Sequence, residues 1–524
     1  MGGMPLFSYL VWICRPKDVP LQRFGEISQV PGCSAVRLAH LLWEQGVVGS
    51  NPVTPTIRKG TAEQAFSELA VPLSLSSQQT TVMNKSYHKE ILHIALPSIL
   101  SNITVPLLGL IDLAIAGHLG AASYIGAIAI GGTIFNMIYW IFAFLRMGTS
   151  GMTSQAYGAG NRQEIQLLLY RSLAVSTGMA VLILLLQGPL LRLALSVMSP
   201  EEALADFAST YFRICVWGAP AVLGLYSLTG WFIGLQNARY PLYVAVVQNL
   251  LNMAASLSFV FVLDMGVAGV ALGTVVAQYC GLTLSLYYCH RMHRRLGLPY
   301  TFVPSSVFRE NAIRRFFSVN RDIFLRTLCL VCVTLYFTSA GSRQGEYILA
   351  ANALLMQYFT LYSYFMDGFA FAGEALSGKC AGAGDYQALK KVIRNLFLWG
   401  SGVALAFTLF YMAGGKALMS LLTDEASVVA TASGYLPWAV LIPLAGLSAF
   451  IWDGVFIGLT ATRYMLLSMS VATLTFFIVY LVLFPYWQNH ALWLAFLLYL
   501  FARGLMQHLL YRNKTVTLRP TNQI

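Results

Sequence analysis

The sequence predicts an all-α membrane protein: twelve transmembrane helices in two six-helix parallel repeats around a central cavity. Three observations predict it. The 524 residues are 57% hydrophobic and only 10% charged, where soluble domains carry about 25% charged residues. Mean hydropathy is +0.65, and the apolar residues fall into successive runs of the roughly 20 residues that a helix needs to cross a bilayer. Landmarks in the first half recur in the second at one spacing. TGWFIGLQNARY (Thr229–Tyr240) matches DGVFIGLTATRY (Asp453–Tyr464), and Gly234 and Gly458, like Arg239 and Arg463, lie 224 positions apart. The same spacing joins Gly158-Ala159-Gly160 to Gly382-Ala383-Gly384, Tyr211 to Tyr435, Ile99 to Ile323 and Gly117 to Gly341. Six is an even number of spans, so the second half enters the membrane from the same side as the first. The halves are then parallel repeats.

Taken in order, residues 1–82 stand apart from the rest. PLFSYLVWIC is too short for a span, and VRLAHLLWEQGVVGSNPVTPT reads like a transfer-RNA gene translated as protein. The start is expected at Met83, with 1–82 a mistranslated or disordered extension. The N-terminal lobe is expected over 83–289, with spans near 94–117, 124–147, 165–187, 208–235, 240–263 and 267–289. A cytoplasmic basic linker, 290–318, leads to the C-terminal lobe, 319–511, and a tail, 512–524, follows. The spans of the second lobe lie near 319–340, 347–376, 388–412, 430–457, 464–484 and 490–510. Lys85, Lys89, Arg162, Arg239, the run from Arg291 to Arg315, Lys390, Lys391, Arg394, Arg463 and Arg512 fall in alternate loops. The positive-inside rule puts those loops and both termini in the cytoplasm. The same bias accounts for the net charge of +12 without nucleic acid as a partner.

Span one, IALPSILSNITVPLLGLIDLAIAGHLG, carries one ionisable side chain between Ile94 and Gly117, which is Asp112. A charge in lipid costs roughly 2.5–3.5 kcal/mol on insertion scales, and such residues mark ion or proton paths. A carboxylate that loses water titrates nearer cellular pH, so Asp112 is the leading candidate for a group that gains and loses a proton. Gly230 and Gly234, with Gly454 and Gly458, form GxxxG pairs that let helix backbones approach closely.

In the second half Asp367 and Glu374 share one helical face, and Asp453 sits late in span ten. Lys379, Arg394 and Arg463 are expected to pair with these acids at the rim. Asp322 and Arg326, at favourable i,i+4 spacing, are expected to pair with each other. Arg146 is expected to snorkel to the interface. Phe135, Met137, Tyr139, Phe359 and Tyr362 suit a cavity for apolar cations, and suit a lipid-facing surface equally. Cys329 and Cys332 (CLVC) read as small buried thiols. CHRMHRR (Cys289–Arg295) reads as a solvated basic loop, because its arginines would repel a metal. No nucleotide loop or nucleophile–base set stands out, so neither enzyme activity nor a metal or cofactor is expected.

Together these pieces carry a resemblance. NITVPLLGLIDLAIAGHLG in span one, LRMGTSGMTSQAYGAGN after span two, NRDIFLRTL opening span seven, DGFAFAGEALSG in span eight, DGVFIG in span ten and NHALWLA in span twelve are its carriers. They resemble the multidrug and toxic compound extrusion (MATE) family, in its DinF-like branch, over Met83 to Arg512. The resemblance implies a secondary active multidrug exporter that works by alternating access in antiport with H⁺ or Na⁺. Its partners would be small, often cationic organic compounds and the lipid bilayer. It would need no cofactor beyond the coupling ion, and would act as a monomer in the bacterial inner membrane. The resemblance also implies a cation-coupling pocket. Asp112 matches the span-one acid, and Tyr211, Asn252, Ser256 and Thr274 fall at the pocket's positions in spans four, five and six. Ser256 stands where the branch carries an aspartate. One carboxylate among neutral oxygens is a poor cage for a metal cation, which favours H⁺. Two other readings stay open: a lipid-linked oligosaccharide flippase of similar architecture, which needs a large cationic cavity, and a channel or membrane scaffold.

Overall fold

Lipid offers no partners for backbone N–H and C=O groups, so apolar runs satisfy them internally as helices. The computed structural model describes residues 87–104, 122–198, 202–298, 307 and 310–513, and these are helical almost throughout. In the first half, α1 is described over 87–104. It is followed by α2 (Ala122–Ile141), α3 (Phe144–Gly158), α4 (Arg162–Leu185), α5 (Gln187–Met198), α6 (Glu202–Cys215), α7 (Ala219–Gly234), α8 (Arg239–Leu257) and α9 (Gly266–Leu296). The second half comprises α10 (Glu310–Ser342), α11 (Glu346–Gly382), α12 (Tyr386–Leu422), α13 (Ala426–Gly458), α14 (Thr462–Trp487) and α15 (Asn489–Arg512). Ten segments among the described residues are long and apolar enough to cross a membrane. Adding α1, described over 87–104, and α11, which carries Asp367 and Glu374, is consistent with the twelve expected spans.

Several details differ from the expectation. Span two is two helices, α2 and α3, separated by a turn at Phe142 and Ala143. Span four is α6 and α7, joined by a 3₁₀ turn at Val216–Gly218. Pro220 follows in the first turn of α7, where its missing N–H costs nothing. The basic linker is shorter outside helix than 290–318, because α9 runs on to Leu296 and ends at Gly297. Cys289–Arg295 is therefore the end of a helix and not a solvated loop, with Cys289 and His293 buried. Cys332, expected to be buried, is exposed on the surface of α10, and Cys329 is half-buried.

The spacing of 224 recurs in the geometry. Left-handed backbone occurs at Gly160 and Gly384, at Gln236 and Thr460, and at Asp264 and Gln488. The first two pairs are each one turn used twice, with the same backbone hydrogen bonds. Glycine takes this conformation without the usual Cβ penalty. The next residues, Asn161 and Asp385, cap the following helices by accepting from the backbone N–H of Glu164 and of Ala388. Packing repeats as well: α7 lies on α3 as α13 lies on α11. A Cβ on Gly230 would meet the carbonyl of Arg146, and one on Gly454 that of Ala370. A Cβ on Gly234 would meet Thr153 and the Ser150 carbonyl, and one on Gly458 would meet Ser377 and the Glu374 carbonyl. Each partner in the first half stands at the same spacing from its counterpart. The four GxxxG glycines thus hold two helix backbones in contact within each half.

Gly454→Val should force α13 away from α11 and cost about 1–3 kcal/mol by overpacking. Gly402→Val, where a Cβ meets nothing within 4 Å, should change stability little. A thermal-shift measurement in detergent compares the two. An unchanged midpoint in Gly454→Val would show that these backbones are not held together there.

Candidate functional site

The pocket expected in the first half draws on α6, α8 and α9. α8 packs along α9, and a Cβ on Gly273 would meet Ser256 Oγ and the Ser256 backbone. That close approach sets Ser256 beside the turn that bears Thr274. One turn earlier on α8, Asn252 donates from Nδ2 to Thr274 Oγ1 at 3.0 Å, and Thr274 donates to the Val270 carbonyl at 3.0 Å. Asn252 and Ser256 are 1% and 0% exposed. Asn252 Oδ1 and Ser256 Oγ have no hydrogen-bond partner among the described residues. A dry polar atom costs about 1–3 kcal/mol, so two of them side by side mark a place that a donor or a cation completes. Tyr211 is buried on α6 with its ring against Gly131 of α2, and α6 packs on α9, the helix of Thr274. Asp112 lies outside the described residues. The structure thus brings Asn252, Ser256 and Thr274 together.

The acids of the second half are not at the rim. Asp453 is enclosed: Arg326 of α10 pairs with its Oδ2, Arg503 of α15 approaches the same oxygen at 3.4 Å, and Gln507 donates to Oδ1 at 2.6 Å. Arg503 also lies over the Phe450 ring, 5.6 Å from its centroid. Glu374 accepts from both Nη atoms of Arg146 at 3.2–3.5 Å, and the same guanidinium lies 4.0 Å over Phe371. Asp367, on the face of Glu374, is half-buried and makes no hydrogen bond or ion pair among the described residues.

These partners correct three expectations. Lys379 pairs with Glu90 of α1 at 3.3 Å, and neither Arg394 nor Arg463 pairs with the three acids among the described residues. Asp322 pairs with Arg321 at 3.0 Å and accepts from Thr462 at 3.2 Å, leaving Arg326 to Asp453. Arg146 turns inward rather than snorkelling. For Arg146 and Arg326 the reason is shared: a guanidinium already deep in the bundle is stabilised by a carboxylate across a helix interface, since an unpaired buried charge costs several kcal/mol. Arg503 and Gln507 were not singled out from sequence, although an arginine inside the run ALWLAFLLYLFARGLMQH is a signal in itself. The aromatic candidates divide. Phe135 stacks between Tyr139 and Phe212, and Tyr362 is buried and donates to the Pro443 carbonyl at 2.9 Å. Both serve the cores of their own halves. Phe359 packs on Phe496, and Met137 is exposed.

The halves meet along α3 and α11. Gln155 donates to the Gly458 carbonyl at 2.9 Å, Gln236 to the Ala375 carbonyl at 2.7 Å and Ser154 to the Glu374 carbonyl at 3.2 Å. A Cβ on Gly158 would meet the Lys379 carbonyl, and one on Gly382 the Gln155 carbonyl. The outermost such bond runs from Asn102 of α1 to the Tyr364 carbonyl, at 3.3 Å. Among the described residues, every hydrogen bond between the halves falls between that level and the end bearing the basic loops.

Two copies of one helical bundle, closed together at one end, with a buried polar pocket in one copy and paired charges in the other, define a membrane transporter built by duplication. The MatE family model matches residues 97–258 and 323–482, once in each half. The chain is 40% identical over 428 residues to DNA damage-inducible protein F of Escherichia coli K12, covering 82% of this chain and 93% of that protein. It is 23% identical over 319 residues to the probable multidrug resistance protein NorM of Thermotoga maritima, covering 59% of this chain and 66% of that one. The crystal structure of the Vibrio cholerae MATE transporter VcmN in the bent form superposes with a TM-score of 0.73 at 18% identity, over 82% of this chain and 97% of that one. The chain belongs to the MatE family, and it is a multi-pass membrane transporter and not an enzyme.

Asp453 and Asp367 should separate on substitution. Asp453→Asn removes the direct ion-pair partner of two buried guanidinium groups and should destabilise by about 3–5 kcal/mol. Asp367→Asn removes no direct bond and should cost less than about 1 kcal/mol. Thermal midpoints in detergent at matched expression compare them, and equal losses would contradict the assignment of Asp453 as a packing charge.

Proposed function

We propose that this transporter exports small organic compounds, often cationic, in antiport with H⁺, by alternating access in the bacterial inner membrane. It acts as a monomer with both termini in the cytoplasm. The observation that carries the reading is the pair of buried oxygens, Asn252 Oδ1 and Ser256 Oγ, that have no partner among the described residues, in the pocket of the first half. They suit a carboxyl that is sometimes protonated, because a carboxylic acid donates where a carboxylate cannot. Asp112 is the acid that the family resemblance assigns there. With Ser256 in place of a second acid, the pocket offers one carboxylate among neutral oxygens, which suits a proton better than Na⁺. Similarity to the probable multidrug resistance protein NorM supports multidrug compounds as cargo.

One observation bears on the flippase reading. More charge faces the interior than the sequence suggested, with Arg146, Arg326 and Arg503 all deep in the bundle. They are matched by Glu374, Asp453 and Asp367, three against three. The result is a neutral cluster and not the cationic cavity that a polyanionic lipid-linked substrate requires.

Asp112→Asn keeps the shape of the side chain but cannot exchange a proton. Coupling needs a group whose charge differs between the two access states. In vesicles with an imposed pH gradient, efflux of a cationic dye should fall to background in Asp112→Asn at matched membrane levels. An imposed Na⁺ gradient should drive little efflux in either protein. Wild-type efflux in the variant would move coupling to Asp367, Glu374 or Asp453.

A further inference from the structure

We propose that the Arg146–Glu374 ion pair is a latch holding the transporter shut at its basic-loop end, and that it sets how often that end opens. The proposal rests on the alternating-access reading above. The pair crosses between the halves, from α3 to α11, with side chains 11% and 1% exposed. It cannot be bypassed when that end opens. The Glu374 carbonyl accepts from Ser154 and the neighbouring Ala375 carbonyl accepts from Gln236, so Glu374 stands within the seam itself. Four residues further along α11, a Cβ on Gly378 would meet Ser154, and four further still Gly382 faces Gln155 while Gly158 faces Lys379.

The last two contacts are reciprocal under the spacing of 224, so this part of the seam lies about a pseudo-twofold axis. The ion pair breaks that symmetry. The counterpart of Arg146 is Ala370, and that of Glu374 is Ser150. Nature of contact matters as well as position. Contacts between small residues are individually weak and part easily. A buried ion pair parts with difficulty, because each charge is left desolvated and alone. Phe371 holds the guanidinium in place from the α11 side, so both partners are preset for closure.

Cys380 reports the opening. Its thiol is 6% exposed at the seam end of α11 and lines a cavity of about 240 Å³ whose other walls include Tyr87 and Glu90 of α1. While it is covered, the thiol is out of reach of a reagent in solution. The full chain, in inside-out vesicles, is treated with an impermeant maleimide, and modification of Cys380 is followed by peptide mass spectrometry. Glu374→Gln should speed modification about tenfold or more, the response to about 1.4 kcal/mol of lost closure. Arg146→Gln should do the same from the other half. The exchanged pair, Arg146→Glu with Glu374→Arg, should be at least about threefold slower than either single variant. Wild-type rates in the single variants would overturn the latch, and so would an exchanged pair as fast as they are. If one single variant fails to reach the membrane, the other breaks the same pair and decides. None of these rates depends on which compound or ion is carried, so a failed latch and a failed exporter reading give different results.

Discussion

The bundle depends on how closely α3 and α11 approach their neighbours. Each touches several helices in this way. α3 meets α7 within its own half and α11 across the seam, while α11 meets α13 and α3. The residue types permit it. On α3, Gly148 faces Asn320, Gly151 faces the Ile457 carbonyl and Gly158 faces the Lys379 carbonyl. On α11, Gly368 faces Ile99 and Ala95, Gly378 faces Ser154 and Gly382 faces Gln155. In lipid there is no hydrophobic drive to bring helices together, so dispersion and carbonyl contacts at small residues have to supply it. Any side chain in place of these glycines would meet its neighbour closer than a Cβ can approach, and the helices would have to shift apart.

Charge is handled differently in the two halves. In the second half, Asp453 has both oxygens occupied, by two arginines and a glutamine. A carboxylate bound that fully cannot readily serve a passing proton or cation without a large loss of stability. In the first half, the pocket of Asn252, Ser256 and Thr274 contains no charge among the described residues, and two of its oxygens are unsatisfied. Among the described residues, one half thus carries paired buried charge and the other a neutral polar pocket. That contrast does not show in the left-handed turns at Gly160 and Gly384 or at Gln236 and Thr460, which recur in both halves.

The repeat was legible because it is written in residue types with strict local roles. Gly160 and Gly384 supply a left-handed turn, Asn161 and Asp385 cap the next helix, and the GxxxG pairs face a carbonyl. Asn252, Ser256 and Thr274 were reached through the family resemblance, since nothing in their local sequence sets them apart. Charge partners were not legible. Arg326 has an acid four residues before it, and the local rule for helices joins the two. That rule describes solvated helices, where a pair contributes a few tenths of a kcal/mol. Inside the bundle, desolvation decides, and Arg326 turns to Asp453, 127 positions away. Arg146 finds Glu374 at a separation of 228. Only the packing of one helix on another reveals such partners.

α1 is hydrogen-bonded both to a pocket helix and to the seam helix α11. At its beginning, α1 is tied to the second half: His88 accepts from Trp399 Nε1 of α12 at 3.0 Å, and Glu90 pairs with Lys379 of α11 at 3.3 Å. Midway, Asn102 donates to the Tyr364 carbonyl at 3.3 Å, again on α11. At residue 104 the allegiance changes, and the Thr104 carbonyl accepts from Asn249 at 3.0 Å. Asn249 lies on α8, three residues before Asn252 of the pocket. A helix is stiff along its axis, so a shift at the pocket end of α1 bears on Glu90 and Asn102 through backbone and not through loops. Those residues sit on either side of the seam's main contacts. Transport by alternating access requires an occupancy change in one place to alter closure in another. Of the described helices, α1 has hydrogen bonds to a pocket helix and to α11 alike, and that is the physical connection such a change requires.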